Sequence, residues 1–310
     1  MLISATISGA TPNGGVGGER SGEMSRSMYN HQANNWTRNT PRCLSDFTGR
    51  PVVFEMMKPH IMIVEGVETD TDPGTVVLDV GCGEGYCARK VVEMGAELVV
   101  GSDISEAMVQ CAAAAAENAD GSNDNSKSND SGNKQKKSLH YYCASSCNLL
   151  EGLERERKII QYIPEAFDVA MAVFLFNYLT TDEMLLTMTQ IHSALKPGGI
   201  FVFSVPHPSM IYCHEKDAIF RLESNGKGYF SAVNEKLLGH ISTVDGTRLN
   251  IMSIHKTMND YIGAIRDVGF EILDIREAGV KEEHMKLNPT FFSSVNDRPL
   301  HLVFKLQKKV

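Results

Sequence analysis

Three glycines at alternate positions follow an acid in the stretch Val76 to Tyr86: Asp79, Gly81, Gly83 and Gly85. An apolar run ends at this turn and a helical pattern begins directly after it, so the spacing predicts a buried strand, a tight turn and a helix N-terminus facing a ligand. Glycine serves where a side chain would hold the backbone away from that ligand. A helix start presents unpaired N–H groups and a positive dipole end, which suit a carboxylate or phosphate. A second acid, Asp103, follows the next apolar run. Candidates for chemistry on a bound substrate are Asn177 and Tyr178 after a later apolar run, and His207, set between Pro206 and Pro208. Tyr29 and Trp36 stand upstream in a polar segment.

Those residues need elements to position them. Apolar runs over 76–80, 97–101, 139–144, 167–174 and 200–205 alternate with helical patterns, which predicts a doubly wound parallel sheet. Two closing strands are expected at 270–275 and 301–306, the last antiparallel. Lys196-Pro197-Gly198-Gly199 is expected to stop the preceding helix by glycine capping. Between 207 and 253 short alternating runs surround turn signals, a β-rich flap inserted after strand five. Phe220, Tyr229, Phe230 and Tyr212 are its candidate lining residues. Thr257 is expected to cap the helix that follows the flap.

With 310 residues and 42% hydrophobic content the chain can bury one full core, and the domain is expected to span 27–310. Residues 1–26 read as a disordered leader, and 118–138, filled with Asn, Asp, Ser, Gly and Lys, as a disordered insertion. The net charge of −8 argues against nucleic acid as a partner. Seven cysteines without framework spacing point to reduced thiols and a cytoplasmic protein, or an organellar one if residues 1–26 act as a transit peptide. No run approaches the ~18 apolar residues of a membrane span. No histidine pair stands at zinc spacing, so no metal is expected.

A nicotinamide fingerprint places its third glycine three positions beyond the second. Here Tyr86 holds that place, and Gly85 lies two beyond. Together, Leu78 to Gly85, Gly101-Ser102-Asp103-Ile104-Ser105 and Leu195 to Gly199 resemble the class I S-adenosylmethionine-dependent methyltransferases. The resemblance implies a seven-stranded Rossmann-like sheet with an antiparallel last strand and S-adenosylmethionine as cofactor. It assigns Asp79, Gly81, Gly83 and Gly85 to the methionine end, Asp103 to the ribose hydroxyls and Ile104 to the adenine face. Ser145 stands where the family often carries an acid for the adenine amino group, and Ala172 and Phe174 match the segment bordering the sulfonium. Trp36 is expected to close over the cofactor or pack an N-terminal helix, and His207 and Tyr178 are the candidate catalytic groups. The acceptor is expected to be a small molecule with an O, N or S nucleophile, such as a methylthio hydroxy acid or an amine. Two other readings stay open: a tRNA or protein methyltransferase anchored by Lys134 to Lys137, and a non-catalytic cofactor-binding regulatory subunit.

Overall fold

The computed structural model describes residues 21–38, 40–61, 74–121, 138–160, 165–213, 215 and 218–310. Residues 1–20 of the expected leader, most of the 118–138 insertion and the Lys134 to Lys137 run lie outside these. The remainder of the leader, from Ser21 to Arg26, belongs to the first helix.

Seven strands form one sheet in the order β3-β2-β1-β4-β5-β10-β9: β1 (Val76–Val80), β2 (Leu98–Asp103), β3 (Ser138–Cys143), β4 (Phe167–Val173), β5 (Leu195–Pro206), β9 (Phe270–Ala278) and β10 (His301–Lys308). Strands β1 to β5 pair in parallel, while β10 runs antiparallel to both β5 and β9. The order reverses between β1 and β4, and the crevice beyond their carboxyl ends is where such sheets hold ligands.

Side chains alternate across the pleat. Leu78, Val100, Ala170 and Ala172 share one core with α6 (Leu149–Ile160), α7 (Thr181–Ala194) and α8 (Met258–Val268). Val77, Val99, Val169 and Met171 share the other with α3 (Gly49–Met57) and α4 (Tyr86–Met94). Helix α5 (Glu106–Gly121) packs beside β2 and β3, and α1 (Ser21–Trp36) lies along it. Ser105 caps α5, its Oγ accepting from Met108 N at 3.2 Å. Capping boxes start α7 (Thr180 with Glu183) and α8 (Thr257 with Asp260), each worth about 1 kcal/mol.

The flap expected to be β-rich is a three-stranded antiparallel sheet, β6 (Phe220–Glu223), β7 (Lys236–Ser242) and β8 (Arg248–Ile254). Its inner face joins a third core with Leu44 of α2 (Leu44–Phe47), Met285 of α9 (Glu282–Leu287) and Phe291 and Phe292 around α10 (Pro289–Phe292).

The end of α7 differs from expectation. The helix stops at Ala194 with Leu195 already extended, and Lys196 to Gly199 belong to β5. Pro197 drives Lys196 out of the helical region. Gly198, at φ 78°, therefore serves the entry to the strand rather than the helix terminus. Lys196 pairs with Asp168 at 2.5 Å.

Candidate active site

The glycine turn closes on itself through the backbone. Gly81 and Cys82 both donate to Ser102 O, at 2.7 and 3.0 Å, and Gly85 donates to Cys82 O at 3.0 Å. All three glycines have positive φ: 73° at Gly81, 55° at Gly83 and 80° at Gly85. They differ in what a side chain would meet. A Cβ on Gly85 would sit 2.6 Å from the Tyr141 hydroxyl, whereas one on Gly83 would meet nothing within 4 Å. Gly85 is needed for packing, and Gly83 leaves open space.

That space is part of a cavity in which water centres have about 200 Å³ of room. It runs beyond the ends of β1, β2 and β4, under α1 and up to the flap. Of the residues named from sequence, Trp36, Asp79, Gly81, Gly83, Asp103, Ile104, Ser145, Phe174 and Tyr178 line it. Asp79 is 1% exposed and its Oδ2 has no hydrogen-bond partner. Burial, with Asp103 nearby, pushes its carboxyl up to about 8 against the pull of Arg50. Asp103 accepts from Gly83 N at 2.9 Å and Ser105 N at 2.8 Å; burial raises its pKa in spite of those donors. Each of its oxygens keeps a second lone pair for a ligand. Ser145 Oγ accepts from Cys147 N at 3.3 Å, capping the turn after β3. Phe174 follows the last residue of β4 at φ 59°, strained for a bulky residue. Its N–H donates to Ser204 O at 2.9 Å, which holds it there.

Helix α1 closes one side. Tyr29 donates its hydroxyl to Tyr178, and the two rings meet edge to face at 5.5 Å. Ser105 Oγ donates to Asn30 Oδ1 at 2.7 Å. Gly22 lies so near Ile104 that a Cβ would be 3.1 Å from Cδ1. Trp36 both lines the cavity and packs against Tyr29.

Three of the expected cofactor or catalytic residues are not brought to the cavity. Ala172 is fully buried in the core among the helices, because its register turns it away from the ligand side of β4. His207 lines a separate small recess. Its Nδ1 accepts from Ser209 N at 3.1 Å and its Nε2 lies 2.9 Å from Glu277 Oε1. Since Nδ1 is an acceptor, Nε2 carries the proton and donates it to the glutamate. Burial lowers its pKa against the effect of Glu277. His207 caps its loop with both nitrogens engaged. Gly85 likewise stands behind the surface as a packing residue. In the flap, Phe220 lines the cavity, but Tyr212 is 58% and Phe230 83% exposed. Tyr229 instead holds the start of α8, its hydroxyl accepting from Met258 N at 2.9 Å.

The sequence reading missed a buried ionic cluster. Arg38 pairs with Asp46 at 3.2 Å and Glu84 at 3.3 Å, Arg50 with Asp46 at 2.8 Å, and Arg89 with Glu84 at 2.7 Å. Burial works to raise the Asp46 pKa, yet Arg50 and Arg38 hold it below the ordinary range. Arg38, Arg50 and Glu84 line the cavity, and the Nε atoms of both arginines lack partners. Four charges spaced four apart at Arg38, Arg42, Asp46 and Arg50, with Glu84 inside the glycine motif, were the available signal. His301 also lines the cavity and had none, being read only as the start of the final strand.

Residues 30–252 match the methyltransferase domain family. A protein of Haemophilus influenzae described as uncharacterized is 27% identical over 241 residues, which cover 76% of this chain and 82% of that one. Among solved structures, an S-adenosylmethionine-dependent methyltransferase from Mesorhizobium loti aligns with a TM-score of 0.53 at 21% identity, over 83% of this chain and 96% of that one. Magnesium protoporphyrin IX methyltransferase from Synechocystis PCC 6803, with bound S-adenosylmethionine, aligns at 0.53 with 13% identity, over 95% of this chain and all of that one. The [4+2]-cyclase SpnF aligns at 0.54 with 16% identity, over 96% of this chain and all of that one. These three establish the Rossmann-like fold. The family match is longer than half the chain and includes the glycine turn and Asp103. The chain belongs to the methyltransferase domain family and is an enzyme of that class.

Proposed function

We propose that this methyltransferase takes its methyl group from S-adenosylmethionine and passes it to a small-molecule acceptor held beneath the flap. The observation that carries the reading is Asp79. A carboxyl buried at the floor of a cavity, with one oxygen unpartnered and its proton retained to about 8 in the empty site, becomes complementary to a fixed ammonium group by giving up that proton. The cofactor's methionine end brings an ammonium and a carboxylate together. Arg38 and Arg50, with unpartnered Nε atoms beside the same cavity, fit the carboxylate. Gly83 leaves the bare backbone that the chain of such a ligand needs. Asp103 would take the ribose hydroxyls on its remaining lone pairs, Ile104 and Ser145 would border the adenine, and Phe174 the sulfonium.

Bound there, S-adenosylmethionine supplies a methyl group already activated for in-line displacement. The protein then mainly aligns the acceptor and excludes water. Tyr29 and Tyr178 fasten α1 over the cavity for that purpose. Support for a small acceptor comes from the flap: Phe220, Ile241, Ile251 and Met252 line the cavity from above, an apolar roof suited to the body of a small molecule.

Titration calorimetry with S-adenosylhomocysteine tests the donor, and no measurable binding overturns it. Labelled methyl, followed from the cofactor into a cell extract, tests the acceptor. Label is expected in the small-molecule fraction; label confined to RNA or protein overturns that part.

A further inference from the structure

His301 begins β10, directly beside the end of β5, where it pairs with Pro206. Its ring meets that of Phe174 edge to face at 4.9 Å. It therefore borders the cavity on the β4–β5–β10 side, away from Asp103 and Ser145 at the ends of β2 and β3. Its protonation can be read from one neighbour. Thr48 has a single hydroxyl proton, which it donates to Leu44 O at 2.9 Å. At 2.9 Å from His301 Nδ1, Thr48 Oγ1 must then accept, so Nδ1 carries the ring proton and Nε2 a lone pair. Nε2 has no partner among the described residues, nor is it one of the side-chain atoms sealed from solvent without one. The Nδ1 edge is covered by Thr48 and by Gly49, whose Cβ would be 3.2 Å away. What access remains is at the cavity edge of the ring. Asn177 supplies a second acceptor on this side, its buried Oδ1 also unpartnered.

We propose that His301 is the catalytic residue on the acceptor side, its free Nε2 receiving the hydrogen bond and then the proton of a hydroxyl group on an otherwise apolar acceptor. The inference rests on the S-adenosylmethionine reading above and narrows the acceptor to an alcohol or phenol. A thioether has no proton to give and would leave Nε2 and Asn177 Oδ1 unpaired in a desolvated site. A neutral amine can be methylated without a base. A hydroxyl differs. Its lone pair forms the new O–C bond, the S–C bond breaks with its pair on sulfur, and the hydroxyl proton passes to Nε2, later leaving to water. Burial, with Arg50 nearby, drags the His301 pKa down to about 3. That keeps the lone pair free at neutral pH, and it is still basic enough for a proton whose oxygen turns oxonium-like as the bond forms.

Two measurements test this. Nitrogen NMR of histidine-labelled protein, loaded with S-adenosylhomocysteine, is expected to show His301 neutral with the proton on Nδ1. A proton on Nε2 overturns the proposal whether or not turnover is found. In a deproteinised metabolite extract supplied with labelled S-adenosylmethionine, label is expected on oxygen. His301→Asn keeps a donor toward Thr48 and removes the second nitrogen. It should slow labelling at least about tenfold with S-adenosylhomocysteine affinity unchanged. His301→Gln, which returns a hydrogen-bond acceptor near the Nε2 position but no base, should stay as slow as the Asn variant; full recovery by Gln would overturn the proton transfer. Label on sulfur or nitrogen, or an Asn variant as fast as the parent, overturns the proposal. Loss of S-adenosylhomocysteine binding by the parent protein would instead sink the donor assignment, which the NMR result does not touch.

Discussion

Asp103 and Gly83 are joined by a 2.9 Å hydrogen bond from the glycine N–H to the carboxylate Oδ2. The acid at the end of β2 therefore holds the turn that follows β1, and the two halves of the ligand cavity share one carboxylate. Its other oxygen accepts from Ser105 N at 2.8 Å. Asp103→Ala removes both ties together with the ribose contact proposed for this carboxylate. S-adenosylmethionine affinity is expected to fall by about 1.5–3 kcal/mol, measured by calorimetry. An unchanged dissociation constant would move the ribose elsewhere.

Asp79 makes the ligand-free protein sensitive to pH. A folded-state pKa raised from 3.8 to about 8 means that the native state binds more protons than the unfolded chain between those values. The stability it contributes is complete below pH 4 and is lost as pH rises through 8. Asp79→Asn should remove this slope, leaving the ligand-free variant more stable than the parent at pH 8, by on the order of 1–3 kcal/mol, and not at pH 4. Cofactor binding, by placing an ammonium at the site, should release a proton near pH 7. Calorimetry in buffers of different ionisation enthalpy reads that release, and its absence would separate the ammonium from Asp79.

Gly83 and Gly85 should respond differently to alanine. Gly85→Ala brings a methyl within 2.6 Å of the Tyr141 hydroxyl at φ 80°, so a loss of about 2–3 kcal/mol in thermal or denaturant unfolding is expected. Gly83→Ala costs only the strain of its left-handed backbone, about 1 kcal/mol. It should nevertheless abolish cofactor binding, because its methyl enters the open side of the turn. A Gly83→Ala protein that binds normally would remove the ligand from this turn.

Arg38 bridges Asp46 and Glu84, and its side chain is only 5% exposed. Arg38→Met leaves two carboxylates buried with less countercharge, and a loss of about 3–5 kcal/mol is expected. Chemical denaturation provides the measurement. A change below 1 kcal/mol would show that Arg50 and Arg89 suffice.

The parts of the site carried by local pattern were legible in the chain. Alternate glycines after an apolar strand announce a turn wherever they occur, and Asp103 follows at the end of the next strand by the same βα logic. The faces of strands were harder. Ala172 and Phe174 lie two apart in one apolar run, so regular alternation would put them on one face; the strand stops at Val173, and the left-handed backbone at Phe174 takes its ring to the cavity instead. His207 shows the limit of a backbone argument, since flanking prolines set where the residue is and not where its ring turns, and Glu277 took the ring. The contacts between Tyr29 and Tyr178, or Thr48 and His301, join segments far apart in sequence. Neither partner carries a local sign of the other. The family match ends at residue 252, before the strand that bears His301.

Strand β10 lies between β5 and β9, although both are synthesised before it. Until it arrives, β5 presents an open edge and β9 has no neighbour to pair with. The nascent chain must therefore carry a half-built sheet, with apolar residues such as Phe201 and Phe203 awaiting Phe304. Such long-range closure is slow and leaves an interval for wrong pairings. The strand that completes the sheet is thus also the one that brings the His301 imidazole to the cavity wall.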